Sequence, residues 1–327
     1  MSDTIGRRAR FIATMALASG SLLPLVASAQ DYPSQQMKFI VGFAAGSGAD
    51  TVTRFMAEKF KTVGKANVVV ENRPGAAGQI AVEAVARSKP DGYTFLFSTA
   101  TATAASMHLY RNPSVDVTKA FRIVAPLSKQ GFMIVVDAKS PFKSVAELTA
   151  AMKQKGEKGN YAVAAPSGIV LGELYKSIAG LQTTQVRFKT ASDSLNELAS
   201  GAIDFGSIDP QVSLAQAKQG KLRILAISTG QRLKSSPDVP TMNEAGVTGM
   251  DLNGWWSIMA PAATPDAVVN KVNGWVKEIL ETAETQKFFL DTGGETFYLP
   301  AAQANQLFLE EEKRWGEYVR ISKIEKQ

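Results

Sequence analysis

The chain has 327 residues, 45% of them hydrophobic and 20% charged, with 36 lysines and arginines against 30 acids, one histidine and no cysteine. That is enough apolar material for one or two cored domains, and the missing thiols exclude disulfides, thiolate catalysis and Cys-ligated zinc. The formal charge of +6 is a mild bias towards anions; the basic residues are interspersed with acids rather than gathered into a run, so no nucleic-acid partner is expected.

The first expected element is an export signal. Arg7, Arg8 and Arg10 precede the apolar segment "FIATMALASGSLLPLVASA", which ends in Ala27-Ser28-Ala29, the A-x-A pattern that signal peptidase cuts. Cleavage after Ala29 puts a mature chain beginning at Gln30 in the periplasm. Three arginines and Asp3 leave with the signal, so the formal charge of the remainder is two lower, at +4. The alternative is a membrane anchor, but Gly20, Pro24 and several serines leave the run marginal for the ~20 residues a span needs. The paired Arg7 and Arg8 keep the twin-arginine route open beside the general one.

Next comes "KFIVGFAAGSGAD", Lys38 to Asp50. An apolar strand ends in small residues that open a helix, whose Val52, Phe55, Met56 and Phe60 share one face. Such a loop has two readings. Phe43, Ala44, Gly46, Ser47 and Gly48 present main-chain N–H groups at the positive end of a helix, an anion site without a cationic side chain, with Ser47 able to add a hydroxyl. Or the stretch is a tight βα turn with Asp50 as the helix cap. "FSTATATAAS" (97–106), which carries Thr99 and Thr101, is a strand running into hydroxyls and alanines.

"AVAAPSGIVLGEL" (162–174) repeats the strand, small-residue loop and helix, with Ala165, Ser167, Gly168 and Ile169 in the loop; "RFKTASDSLNEL" (187–198) does so again, with Thr190 in the loop and Ser192 as the expected cap. All four loops are expected to face one cleft from the carboxyl ends of strands. With Ser192 as cap, Asp193 falls in the first helical turn, where it either serves the helix dipole and repels a second ligand carboxylate, or simply points to solvent. Asp209, before Pro210, either points into the cleft or begins a turn.

Further strands are expected at "ANVVVE", "YTFLFS", "GFMIVV", "NYAVAA", "TQVRF", "AIDFGSI", "LRILAIS" and "WWSIMAP". Capping boxes are expected at "SVAE" (144–147) and "TMNE" (241–244). Trp255 and Trp256 read as core, with cleft lining as the alternative, and "EEEKRW" (310–315) as a solvated helix face. Strand and helix in alternation argue for an α/β chain with parallel sheets covered by helices. No linker divides it. Ordered crossings at "IVAPLSKQGFMIVV" and "LRILAISTG" are therefore expected to join one domain of residues 30–127 and 230–327 to a second of residues 128–229, with a ligand cleft between them.

Enzymatic chemistry is poorly served. His108 alone would have to complete any Ser-His-Asp triad, and "GFAAG" has Ala44 where a nucleophile elbow needs serine. No calcium loop occurs. "GSGADT" has Thr51 where a dinucleotide fingerprint needs its last glycine, and no P-loop lysine follows. No cofactor and no metal is expected.

"YPSQQMKFIVGFAAGSGADTVTRFMAEKF", "ENRPGAAG" followed by "PDGYT", "DVTKAFRIVAPL", "LASGAIDF", "GKLRILAIST", "SSPDVPTMNEAGV" and "WWSIMAPAATP" stand in order over nearly the whole mature chain. In them the chain resembles the Bug family, the extracytoplasmic solute receptors of tripartite tricarboxylate transporters. The resemblance implies a two-domain, flytrap-like periplasmic binding protein, monomeric, that hands a small organic anion to a membrane permease. A sensor that presents its ligand to a membrane kinase, or an exported hydrolase using His108, is the alternative. It also implies that a ligand carboxylate sits between the loop at Phe43 to Asp50 and that at Ala165 to Ile169, with Thr99 and Thr101 beside them. The chain departs from the family where "APSGIVLGEL" is shortened and where "KTASD" replaces a Lys-Gly-Ser-Ala-Pro pattern.

Overall fold

The computed structural model describes residues 32–188 and 190–326; the export segment expected over residues 1–29 lies outside them. The strands are β1 (Met37–Val41), β2 (Val68–Asn72), β3 (Thr94–Thr99), β4 (Phe121–Gly131), β5 (Met133–Asp137), β6 (Asn160–Val163), β7 (Thr184–Arg187), β8 (Phe205–Ile208), β9 (Leu222–Ile227), β10 (Asn253–Pro261) and β11 (Gly294–Thr296). The helices are α1 (Gly48–Val63), α2 (Gln79–Ala86), α3 (Ser106–Leu109), α4 (Val117–Ala120), α5 (Val145–Lys155), α6 (Pro166–Ala179), α7 (Ala191–Ser200), α8 (Pro210–Lys218), α9 (Asp266–Glu281), α10 (Ala283–Asp291) and α11 (Ala301–Ile321).

Two sheets result. One has the order β11-β4-β10-β3-β1-β2, the other β7-β6-β8-β5-β9. Neither is purely parallel. β1 runs parallel to β2 and β3, and β6 to β7 and β8, as the alternation of strand and helix predicts. The strands that carry the chain between the sheets, and those that pair with them, are antiparallel: β10 with β3 and β4, β5 with β8 and β9. β5 and β10 are each entered from the far sheet rather than through a covering helix, so no crossover dictates their direction.

The passage outward is β4, a single residue Phe132, and β5. Ser128–Gly131, expected in the middle unit, extend β4 in the first sheet instead. Pro126 is tolerated inside β4 because the register against β10 slips there: Trp256 faces Ser128 and Ser257 faces Pro126, leaving Leu127 in a bulge. Buried Ser228, just after β9, ties the crossing together. Its Oγ accepts from Phe132 N at 2.9 Å and donates to Leu252 O at 2.6 Å, while its N–H bonds Phe132 O at 2.9 Å.

Alternation along the strands sorts the core into layers. Phe39, Phe95 and Phe97 pack against Val52, Met56 and Phe60 of α1 and the apolar stripe of α9. Ile40 and Leu96 point to the opposite face, into a cluster that holds Val82 of α2 and Phe308 and Trp315 of α11. The expected solvated face at 310–315 is therefore corrected in two places: Glu311 is 4% exposed and Trp315 is fully buried, because α11 lies on the sheet with that stripe inward. Ser144 caps α5 as read, accepting from Glu147 N at 3.2 Å. Thr241 and Glu244 bond each other's N–H groups reciprocally, but the box heads a run of turns, not a helix.

Candidate functional site

The β1–α1 loop is built around a carboxylate. Gly42 lies so near α2 that a Cβ there would meet Gly78 Cα at 2.7 Å, and Gly46 takes φ +79°, which favours glycine. Ser47, not Asp50, is the cap of α1: its Oγ accepts from Asp50 N at 3.3 Å. Asp50 reaches back, accepting from Gly46 N at 2.8 Å, Arg54 Nε at 2.9 Å and Asn72 Nδ2 at 2.9 Å. The same Asn72 amide donates to Phe43 O at 3.0 Å, which gives the "ENRPG" stretch a structural task in this loop. Arg54 first, then Gly46 and Asn72, pull the Asp50 carboxyl down to about 2 against the opposing effect of burial. Asp50 and the Gly46 N–H are thus engaged within the protein, whereas Gly48 and Ala49, the first two helical residues, line the cavity.

Two helices of the second unit point at the same space. α6 starts with Pro166 and α8 with Pro210, each at the first helical position, and neither cap residue, Ala165 or Asp209, makes a side-chain cap bond. Proline has no N–H to lose and a preset φ, so these starts are stable without a cap. Their next N–H groups, on Ser167 and Gly168 and on Gln211 and Val212, have no partner within the helix. Gly168 is pressed against β8, where a Cβ would meet Ser207 O at 2.5 Å.

Between these ends lies a cavity of about 400 Å³. Of the residues singled out from sequence, Phe43, Ser47, Gly48, Thr99 and Thr101 line it from the first unit, and Ala165, Ser167 and Asp209 from the second. Ala44, Gly46, Asp50, Gly168 and Ile169 are not among its lining residues, Ala44 and Gly46 being exposed. Thr190 and Asp193 do not reach it. Thr190 is itself the cap of α7, where Ser192 was expected, and its Oγ1 accepts from Asp193 N at 3.2 Å; Asp193 is exposed. The α8 start takes the place assigned to that loop.

Sequence reasoning missed several lining groups. Gln130 and Ser128 come from β4, and the buried Ser128 hydroxyl has no partner among the described residues. Gln211 crosses from α8 so closely that a Cβ on Gly48 would fall 1.9 Å from its Oε1. Its signal was Asp-Pro read as a helix start rather than as a turn. Trp255 is core at 3% exposure yet also reaches the cavity lining, and Trp256, half-buried, forms an apolar wall with Phe43, ring centroids 6.4 Å apart. No Lys, Arg or His lines the cavity among the described residues, and Asp209 is its single acid. Asp209 Oδ1 accepts from Ser167 Oγ at 3.0 Å. The residue keeps partial solvent contact, yet its carboxyl is crowded as in an interior, and this burial pushes its pKa up against the Ser167 bond. His108 is elsewhere, its Nε2 2.7 Å from Glu312 on α11, with Gly316 against the ring.

The chain matches over residues 52–324 the family described as the tripartite tricarboxylate transporter family receptor. A UPF0065 protein of Bordetella bronchiseptica is 33% identical over 276 residues, covering 83% of this chain and 80% of that protein. BugT of Bordetella pertussis is 29% identical, covering 95% of this chain and 94% of its own. The solved structure of R. palustris Rpa4515 with adipate is similar with a TM-score of 0.83 and 27% identity, covering 91% of this chain and 100% of that one.

Proposed function

Since the chain belongs to the tripartite tricarboxylate transporter receptor family, we propose that it is a periplasmic receptor that captures a small organic carboxylate and delivers it to a membrane permease of that transporter type. One observation carries the reading. The starts of α1, α6 and α8 converge on a cavity whose described lining holds no cationic side chain. Their N–H groups and aligned dipoles attract an anion, and they are fixed before it arrives. A carboxylate between Gly48 and Ala49 on one side and Ser167 on the other touches both units, so its binding favours their closure. The two moving bodies are the unit of residues 30–127 and 230–327, to which Ser128–Gly131 belong through β4, and the rest of the expected middle unit; the mature chain starts at Gln30.

The adipate of the similar R. palustris protein fits this chemistry. His108 has no role in it, which disfavours a hydrolase, and presentation to a kinase would use the same cavity with another partner. The test is calorimetric titration of purified mature protein with a panel of organic acids and their amides, with small-angle scattering on the best binder. Binding of acids but not amides, with a smaller radius of gyration at saturation, is expected. Equal binding of acid and amide, or no binding of any acid, refutes the proposal.

A further inference from the structure

Asp209 is an unusual helix cap. An Asp at this position ordinarily turns its carboxylate onto the N–H groups of its own helix. Here the side chain makes no cap bond; it faces the cavity, where Oδ1 accepts from Ser167 Oγ and Oδ2 accepts nothing from the described residues. It is the only acid among the described lining residues, and no described Lys, Arg or His is there to pair with it. A crowded carboxylate with one donor is undersupplied, since it can accept several hydrogen bonds.

We infer that Asp209 selects the ligand: besides the carboxylate held at the helix starts, the ligand carries a hydrogen-bond donor, a hydroxyl or an ammonium group, that bonds Asp209 Oδ2, and bears no second negative charge there. This rests on the carboxylate reading of the cavity and goes further by naming a second polar group that the ligand must carry. Burial that disfavours the isolated carboxylate works in the same direction, because a donor from the ligand stabilises the charged form. A second carboxylate beside Asp209 would bring two acids together. It would be accommodated only if one of them took up a proton.

The test is calorimetric titration with two matched series, four-carbon and six-carbon. Each contains the unsubstituted acid, the ω-hydroxy acid, the ω-amino acid and the dicarboxylate: butanoate to succinate, and hexanoate to adipate. In the mature wild-type protein the hydroxy or amino member of at least one series is expected to bind tenfold or more tightly than its unsubstituted and dicarboxylic counterparts. Asp209→Ala should bring the members within about twofold of one another, which is the scatter left when one directional hydrogen bond is removed. Asp209→Asn, nearly isosteric and so a safeguard against misfolding, should keep a preference for the hydroxyl and lose that for the ammonium. Thermal unfolding of both variants establishes that they fold.

Wild-type binding of the unsubstituted acids or the dicarboxylates as tight as that of the donor-bearing ones overturns the inference while leaving the carboxylate receptor intact. So does a wild-type ranking that survives in Asp209→Ala, or a dicarboxylate bound tightly without uptake of a proton. No binding by any member of either series overturns both readings.

Discussion

Asp50→Asn isolates the device that shapes the β1–α1 loop. The carboxylate collects the Gly46 N–H, the Arg54 guanidinium and the Asn72 amide, and its pKa falls from 3.8 to about 2. At ~1.36 kcal/mol per unit, this drop corresponds to an upper bound of about 2.4 kcal/mol of folding stability. Asp50 is itself buried, but the Arg54 side chain that pairs with it is 52% exposed, and solvent screening of the pair reduces the figure to roughly 1–2 kcal/mol. A folded pKa below the unfolded one gives stability that is fully present above pH ~4 and lost as pH falls through ~2. Urea unfolding of wild type and Asp50→Asn, at pH 7 and again at pH 2.5, measures it. Wild type should be the more stable at pH 7 by roughly 1–2 kcal/mol, with most of that gap gone at pH 2.5. A gap of the same size at both pH values, or none at pH 7, refutes the assignment of Asp50 as the charged brace of this loop.

Ser228→Ala leaves the buried Phe132 N–H and Leu252 carbonyl each without a partner, and should lower unfolding free energy by about 1–3 kcal/mol in urea titration; a change below about 0.5 kcal/mol, the range of ordinary surface substitutions, would mean that the crossing does not depend on it. Gly168→Ala places a Cβ 2.5 Å from the Ser207 carbonyl, with backbone on both sides unable to yield, so about 1–3 kcal/mol of stability and most of the ligand affinity should be lost together. Wild-type melting and calorimetry for that variant would contradict the close packing of α6 on β8. His108→Ala removes a ring bonded to Glu312 outside the cavity and should leave ligand affinity within about twofold, well under the effect of losing a direct contact; a tenfold loss would bring His108 back into the site.

Legibility in the sequence followed the range of the forces involved. Strands such as "MKFIV" and "TFLFST" are readable because their apolar residues are local and periodic, and both form where expected. β11 has three residues, too few to show a period, and it exists only because β4 offers an edge for Gly294–Thr296 to pair with. The cap of α7 was misplaced by two residues because Thr190 and Ser192 are chemically equivalent candidates, and only the entry angle of the chain decides between them. Burial of Glu311 inside a charged run was unreadable, since it depends on which stripe of α11 meets the sheet. In the site, the small-residue loops were legible and the tertiary bonds were not: nothing local says that Asp50 turns back to Gly46, or that Gln211 reaches across to Gly48.

Those two contacts divide the labour within the cavity. Asp50 and Asn72 hold the first loop in shape from behind, so the N–H groups of Gly48 and Ala49 need no rearrangement to receive an anion. Gln211 and Pro210 belong to the other unit, yet Gln211 packs against Gly48, and Pro210 lies 3.0 Å from where a Cβ on Gly293 would be. Wherever the units separate, these contacts are lost while the first loop stays as it is. Affinity then depends on how often the two halves meet as well as on the fixed donors, because the apparent dissociation constant is the intrinsic one divided by the closed fraction. Side chains that span the gap, Gln211 above all, are therefore placed to tune affinity without touching the anion, whereas Asp209, bonded to Ser167 at the cavity wall, is placed to choose which anion is held.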